Sequence, residues 1–195
     1  VVLECAPEEE RGGNSRFTAG AIRIAYEGVD DLKKLMPDLS AHEIETTDFG
    51  SYAEAEFFDD MARVSEYRSD PELADLLVKR SMETILWMGE KGVRFVPMYG
   101  RQAFKVGGRF KFWGGLTVEA WGGGPGLVDA LFLATKRAGI EVLYGARALA
   151  LIQNDGEVRG VSIRRSGKTF DIIGDAVVLA SGGFEANTEW RTRYL

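Results

Sequence analysis

Short apolar runs open and close this chain, and two stretches of helical periodicity lie between them. Val1-Val2-Leu3 closes on Glu4, the pattern of a buried parallel strand that ends at an acid. Ala21-Ile22-Arg23-Ile24-Ala25 predicts a second short strand, followed by a polar, mixed segment. Helical spacing then sets in. One helix runs from about Tyr52 to Glu66. The next starts at Asp70-Pro71-Glu72, where an acid caps and proline takes the first helical position. It carries Leu73, Leu76, Leu77, Ile85 and Leu86 and ends near Gly92. Trp87 and Met88 fall at core spacing on it. Both helices are scaffold for one side of a sheet.

The second half reads as strands. Val93-Arg94-Phe95-Val96 is followed by alternating residues around Gly107-Gly108, which predicts a hairpin over 101–115. Its exposed side carries Arg101, Arg109 and Lys111, either a solvated face or a grip for carboxylates. Gly122-Gly123-Gly124-Pro125-Gly126 then opens a helix, Leu127 to Ala138. Its spacing, Gly-x-Gly-x-x-Asp with Asp129 in the third glycine's place, departs from the dinucleotide fingerprint. Ile140–Leu143 is a strand, and Ala146–Gln153, Val158–Arg165 and Thr169–Ile173 form a three-stranded meander. Asn154-Asp155-Gly156 and Ser166-Gly167 supply its turns. Ala176-Val177-Val178-Leu179-Ala180 predicts a buried parallel strand ending in Ser181-Gly182-Gly183. The class is α/β: a parallel sheet with helices and an inserted antiparallel meander.

The candidate chemistry lies in Gly12-Gly13-Asn14-Ser15-Arg16-Phe17-Thr18-Ala19-Gly20-Ala21. Glycine leaves its amide bare, successive turn amides form an anion-holding nest, and Asn14 or Ser15 is placed to cap a short helix. An ordinary surface turn has the same composition. In a dinucleotide fold, an acid at the end of the second strand accepts hydrogen bonds from ribose hydroxyls, which is Glu4's place here. The glycine-rich phosphate turn belongs about twenty residues before such an acid. The chain opens inside a strand without an initiator Met, so it reads as a fragment.

Glu4, the Gly12–Ser15 loop with Thr18-Ala19-Gly20-Ala21, and the distal Ala180-Ser181-Gly182-Gly183-Phe184 resemble the fumarate reductase/succinate dehydrogenase flavoprotein family. The texture is most similar to its FAD-dependent tricarballylate dehydrogenases. The resemblance covers essentially the whole chain and implies a Rossmann-like FAD-binding domain over 1–195. A cap domain is expected to begin near or after 185. It implies that Glu4, Gly12, Gly13, Asn14, Ser15, Thr18, Ala19, Gly20, Ala21, Ala180, Ser181, Gly182 and Gly183 serve FAD. Ala148 matches the residue whose backbone touches the adenine. It also implies a small di- or tricarboxylate substrate, an electron-transfer partner, and catalytic residues beyond Leu195. By the same resemblance the Gly122–Gly126 loop lies beside the flavin. An FAD-binding protein without catalysis, or a related hydroxylase or reductase, is the alternative.

Composition narrows the classes further. The chain has 195 residues, 45% of them apolar, enough for a core, and no run approaches membrane-spanning length. Net charge is −6 without a Lys/Arg block, which argues against nucleic acid. Cys5, the single cysteine, fits a reducing, cytoplasmic setting. A carboxylate beside it disfavours a nucleophilic thiolate. His42, the single histidine, lies in a charged stretch where solvation is the expected fate, and no metal site is expected.

Overall fold

The computed structural model describes residues 1–184 and 186–194. They fall into two compact units: Val1–Asn14 with Ala138–Leu195, and Ser15–Arg137. The expected start of a cap domain near residue 185 lies outside the described residues.

The first unit opens with β1 (Val2–Leu3) and a short 3-10 turn at Glu8–Glu10, and a second such turn, Gly13–Phe17, crosses from its last residues into the next unit's first. The second unit follows as β2 (Ala21–Ile22), α1 (Val29–Leu35), α2 (Ala41–Thr46), β3 (Thr47–Asp48) and the helix pair α3 (Glu54–Val64) and α4 (Pro71–Glu90). After these come β4 (Phe95–Pro97), α5 (Tyr99–Gln102), β5 (Ala103–Val106), β6 (Arg109–Phe112), β7 (Val118–Ala120) and α6 (Gly123–Arg137). The α4 start is the predicted one. Asp70 Oδ1 accepts from the amides of Glu72 and Leu73, both at 3.0 Å, two donors that a helix start otherwise leaves unpaired. The β5–β6 hairpin also forms as predicted, with Val106 opposite Arg109 and both turn glycines at positive φ.

Two antiparallel or mixed sheets result, in the orders β2-β7-β4 and β3-β6-β5. Ile24, Leu32, Met36, Val78, Ile85, Phe95 and Val118 are the buried centre of this unit. The mixed segment after β2 holds two short helices. Ser40 and Glu43 close a reciprocal capping box at the second of them, a signature present in the sequence and passed over.

The first unit resumes with β8 (Val142–Leu143), which runs parallel to β1. The meander follows as β9 (Arg147–Asn154), β10 (Glu157–Arg165) and β11 (Lys168–Ile173), and α7 (Thr188–Tyr194) comes last. Both meander turns have positive φ at two successive residues, Asp155 and Gly156, then Ser166 and Gly167. That is the primed geometry whose twist matches the strands it joins. Ala146, Val161 and Ile163 are buried here, packed with Leu3, Leu143, Ile172 and Val177.

Ala176–Ala180 does not form the predicted strand. It carries no ladder in the described residues, and Val178 and Leu179 are 88% and 73% exposed. Apolar β-branched content favours an extended chain, but a strand exists only with a hydrogen-bonded neighbour, and this run has none. Val1 and Val2 are also exposed, and among the described residues β1 pairs with β8 alone.

Candidate functional site

In the first unit, β1 delivers Glu4 to a point where its backbone is held on the β8 side. Its amide donates to the Leu143 carbonyl at 3.0 Å, and its carbonyl accepts from the Ala146 amide at 2.9 Å. The half-buried carboxylate turns back on the loop that follows. Oε1 accepts from the Ala6 amide at 2.9 Å and Oε2 from the Gly12 amide at 3.1 Å. Glu4 is therefore not a freely solvated strand end. A carboxylate has about four acceptor positions, so two backbone donors leave two for a ligand's hydroxyls.

A cavity of about 910 Å³ opens beside it. Glu4, Ala148, Ala180 and Ser181 all lie on its wall, with an apolar floor from β1, the meander and Val177. Three stretches distant in sequence, at Glu4, Ala148 and Ala180-Ser181, thus meet at one place. Gly12 reaches it through its bond to Glu4, while Gly13, Asn14, Gly182 and Gly183 are exposed and off its wall.

In the second unit, Ser15 to Ala21 form a knot of main-chain bonds. The Thr18 hydroxyl donates to the Ser15 carbonyl at 2.9 Å and accepts from the Gly20 amide at 3.1 Å. The Thr18 carbonyl accepts from the Gly124 amide at 3.0 Å, and the Gly20 carbonyl from the Ala120 amide at 2.8 Å. Ala19 continues this path, and Ala21 pairs with Glu119 across β2 and β7. Val118 and Ala120 face the core, so Glu119 and Ala21 share the other face of that sheet. Glu119 is half-buried, and desolvation pushes its carboxyl above the usual range against the opposing charge of Arg101.

The same unit has a second cavity, of about 480 Å³. Asp48, Glu56, Asp59 and Asp60 line it, with Lys111 as the cation. Four carboxylates against one ammonium make it a poor host for an anion. Asp60 is held below the usual range, foremost by its hydrogen bond from Arg63 and then by that from Tyr52. The Arg23 guanidinium also reaches Asp60, at 2.7 Å.

Of the hairpin cations Arg101, Arg109 and Lys111, two are engaged within the protein. Lys111 pairs with Asp48 at 2.9 Å, and Arg109 donates to the Thr47 carbonyl at 2.8 Å. Both charges are spent tying β6 to β3. His42 is exposed on α2 and lines neither cavity. Cys5 is exposed. Among the described residues, no group of His, Cys, Asp and Glu is arranged to hold a metal ion. None of their helices is long and apolar enough to cross a membrane.

The FAD binding domain family matches residues 8–195. The chain belongs to that family. Its cofactor is FAD, as the family resemblance implied. A curated relative, the fumarate reductase (cytochrome) of Shewanella frigidimarina, is 24% identical over 91% of this chain and 28% of its own length. In fold, the chain is similar to the open conformation of a flavocytochrome c3 fumarate reductase. The TM-score is 0.72 at 24% identity, over 100% of this chain and 31% of that one. It is also similar to a 3-ketosteroid-Δ4-(5α)-dehydrogenase from Rhodococcus jostii RHA1, with a TM-score of 0.70 at 19% identity, over 98% and 42% of the two chains. The chain thus spans under half the length of these relatives.

Sequence reasoning missed Gly123, Gly124 and Glu119 as members of this FAD binding domain's candidate site. The glycine run was visible and read as a helix start or a loop beside the flavin. What identifies it is its contact with residues 15–20, which no linear pattern reports. Helix α6 also begins four residues earlier than expected, at Gly123, inside that run.

Proposed function

We propose that the complete protein is a flavoprotein oxidoreductase. It transfers a hydride between FAD and the carbon–carbon bond of a small di- or tricarboxylate, as a fumarate reductase or tricarballylate dehydrogenase does. The observation that carries this reading is the meeting of Glu4, Ala148, Ala180 and Ser181 on one cavity, with two carboxylate acceptor positions to spare. That arrangement fits an adenosine: hydroxyls at Glu4, and an apolar floor under a flat base.

When bound, FAD supplies the redox chemistry. This chain's residues orient it. Glu4 holds ribose hydroxyls, the Gly12–Ser15 loop follows the phosphates, and Thr18 to Ala21 leave room beside the flavin ring. The relatives named above are, by name, a reductase of fumarate and a dehydrogenase of a 3-ketosteroid. Polycarboxylate is the better reading, because the three sequence motifs match the fumarate reductase pattern. An electron-transfer partner completes the cycle, in a reducing cytoplasm in keeping with the lone thiol of Cys5.

The test is anaerobic mixing of the FAD-loaded complete protein with tricarballylate, succinate or 4-androstene-3,17-dione. Bleaching of the flavin by a polycarboxylate is expected. Bleaching by the steroid alone, or by none of the three, refutes the substrate class.

A further inference from the structure

Gly123 and Gly124, which open α6, and Gly20 in the Ser15–Gly20 loop opposite them meet at distances that leave little or no room for a side chain. A Cβ on Gly124 lies 2.2 Å from the Ser15 carbonyl oxygen, 2.7 Å from that of Thr18 and 2.8 Å from that of Arg16. All three are main-chain atoms, so none swings aside as a flexible side chain does. Gly123 stands at φ +64 with its Cβ position 3.3 Å from the Ala19 oxygen. Gly20, at φ +75, places its own Cβ position 2.8 Å from the Gly123 carbonyl carbon. Backbone therefore lies on backbone, and two of the three glycines use the left-handed region that L side chains avoid.

Hydrogen bonds fix the direction of this contact. The Gly124 amide, one of the unpaired donors of the first turn of α6, points at the Thr18 carbonyl. The Ala120 amide, at the end of β7 just before α6, takes the Gly20 carbonyl. Residues 18 and 20 are gripped from two sides by one strand–helix corner. The Thr18 hydroxyl bridges the Ser15 carbonyl and the Gly20 amide within the gripped loop. The Gly124 amide is thereby taken up by protein. This accounts for a glycine run that lacks the dinucleotide spacing: it is needed for contact, not for phosphate.

We infer that Gly124, with Gly20 and Gly123, positions the Thr18–Ala21 segment, so that the start of α6 sets where that segment stands toward the flavin. The inference rests on the proposed role of Thr18–Ala21 beside the flavin ring, and it names the residues that hold that role in place. Gly124 is a positioning residue. It touches the loop and not the reacting atoms.

The experiment uses the complete, FAD-loaded protein carrying Gly124→Ala. Relieving a 2.2 Å approach moves the loop by about an ångström, and misplacement on that scale costs catalysis on the order of 100-fold. The substrate-independent probe is sulfite, which adds to oxidised flavin and bleaches it. Gly124→Ala is expected to retain flavin while its visible circular dichroism changes and its sulfite bleaching rate shifts at least tenfold. Gly89→Ala in α4, where an added Cβ meets nothing within 4 Å, leaves both unchanged. If Gly124→Ala does not fold, Gly123→Ala replaces it. Its added Cβ stands at 3.3 Å from the Ala19 oxygen, a milder push on the same loop from the same helix start, and the same two readouts are expected to move.

Ala21→Leu separates this inference from the reading beneath it. If Ala21→Leu changes the flavin signals and Gly124→Ala, or Gly123→Ala in its place, does not, the positioning role is wrong. If Ala21→Leu changes nothing, the segment does not face the flavin and the underlying reading falls.

Discussion

Replacing Glu4 tests the cofactor site at its firmest point. In Glu4→Ala the amides of Ala6 and Gly12 lose their acceptors, and a ribose loses its hydroxyl partner. A hydrogen bond to a charged group contributes about 1.5–3 kcal/mol. The carboxylate is only half-buried, so the lower end applies to the two loop bonds, roughly 3 kcal/mol if they add. That loss falls on residues 5–12, and hydrogen–deuterium exchange of this stretch is expected to rise in the apoprotein. The ribose share is separate: about 1.5–3 kcal/mol weakens FAD binding by about 10- to 150-fold at 1.4 kcal/mol per decade. Glu4→Asp keeps the charge but falls short by a methylene, so it weakens binding less. The assay is titration of apoprotein with FAD, paired with the exchange measurement. Faster exchange with unchanged FAD affinity leaves Glu4 as a loop anchor only and removes it from the cofactor site. No change in either refutes the reasoning outright.

Three further outcomes are expected. Gly160→Ala places its Cβ 2.1 Å from the Ile172 carbonyl oxygen, at φ +154, so the meander loses about 1–3 kcal/mol in chemical denaturation. Asp70→Ala strips the α4 cap and costs about 1 kcal/mol, read the same way. Glu119's raised carboxyl means the folded state favours the neutral acid. Its contribution is present below the ordinary carboxyl value of about 4.3 and lost as pH rises through the folded value. Glu119→Gln is therefore expected to melt higher than the parent at pH 7 and to show little gain at pH 4, and the reverse pattern refutes it.

The features legible in the sequence were those set by a few adjacent residues. Asp70-Pro71 announced α4, and Asn154-Asp155-Gly156 and Ser166-Gly167 announced two turns whose backbone needs positive φ. The strand at Ala176–Ala180 was over-read, because apolar content is local while pairing is not. Helices α1 and α2 were missed since, at seven and six residues, they complete too few turns to show a period. At the site, Glu4 was found from its place at a strand end. Its bonds to Ala6 and Gly12 were invisible, because their donors are main-chain amides that every residue carries. Gly124 was hidden for a related reason: what requires a glycine there is a loop 109 positions away from it at Ser15, and spacing within the run says nothing of that.

The parallel pairing of β1 with β8 joins Val2 to Val142 across the whole of the Ser15–Arg137 unit. On a ribosome β1 is made roughly 140 residues before its partner β8. At about 5–20 residues per second that is a wait on the order of ten seconds. The contiguous unit has every residue it needs during that interval, and the split one does not. Synthesis therefore imposes an order: the insert can mature first, and the strand that leads into Glu4 waits for β8 to be made.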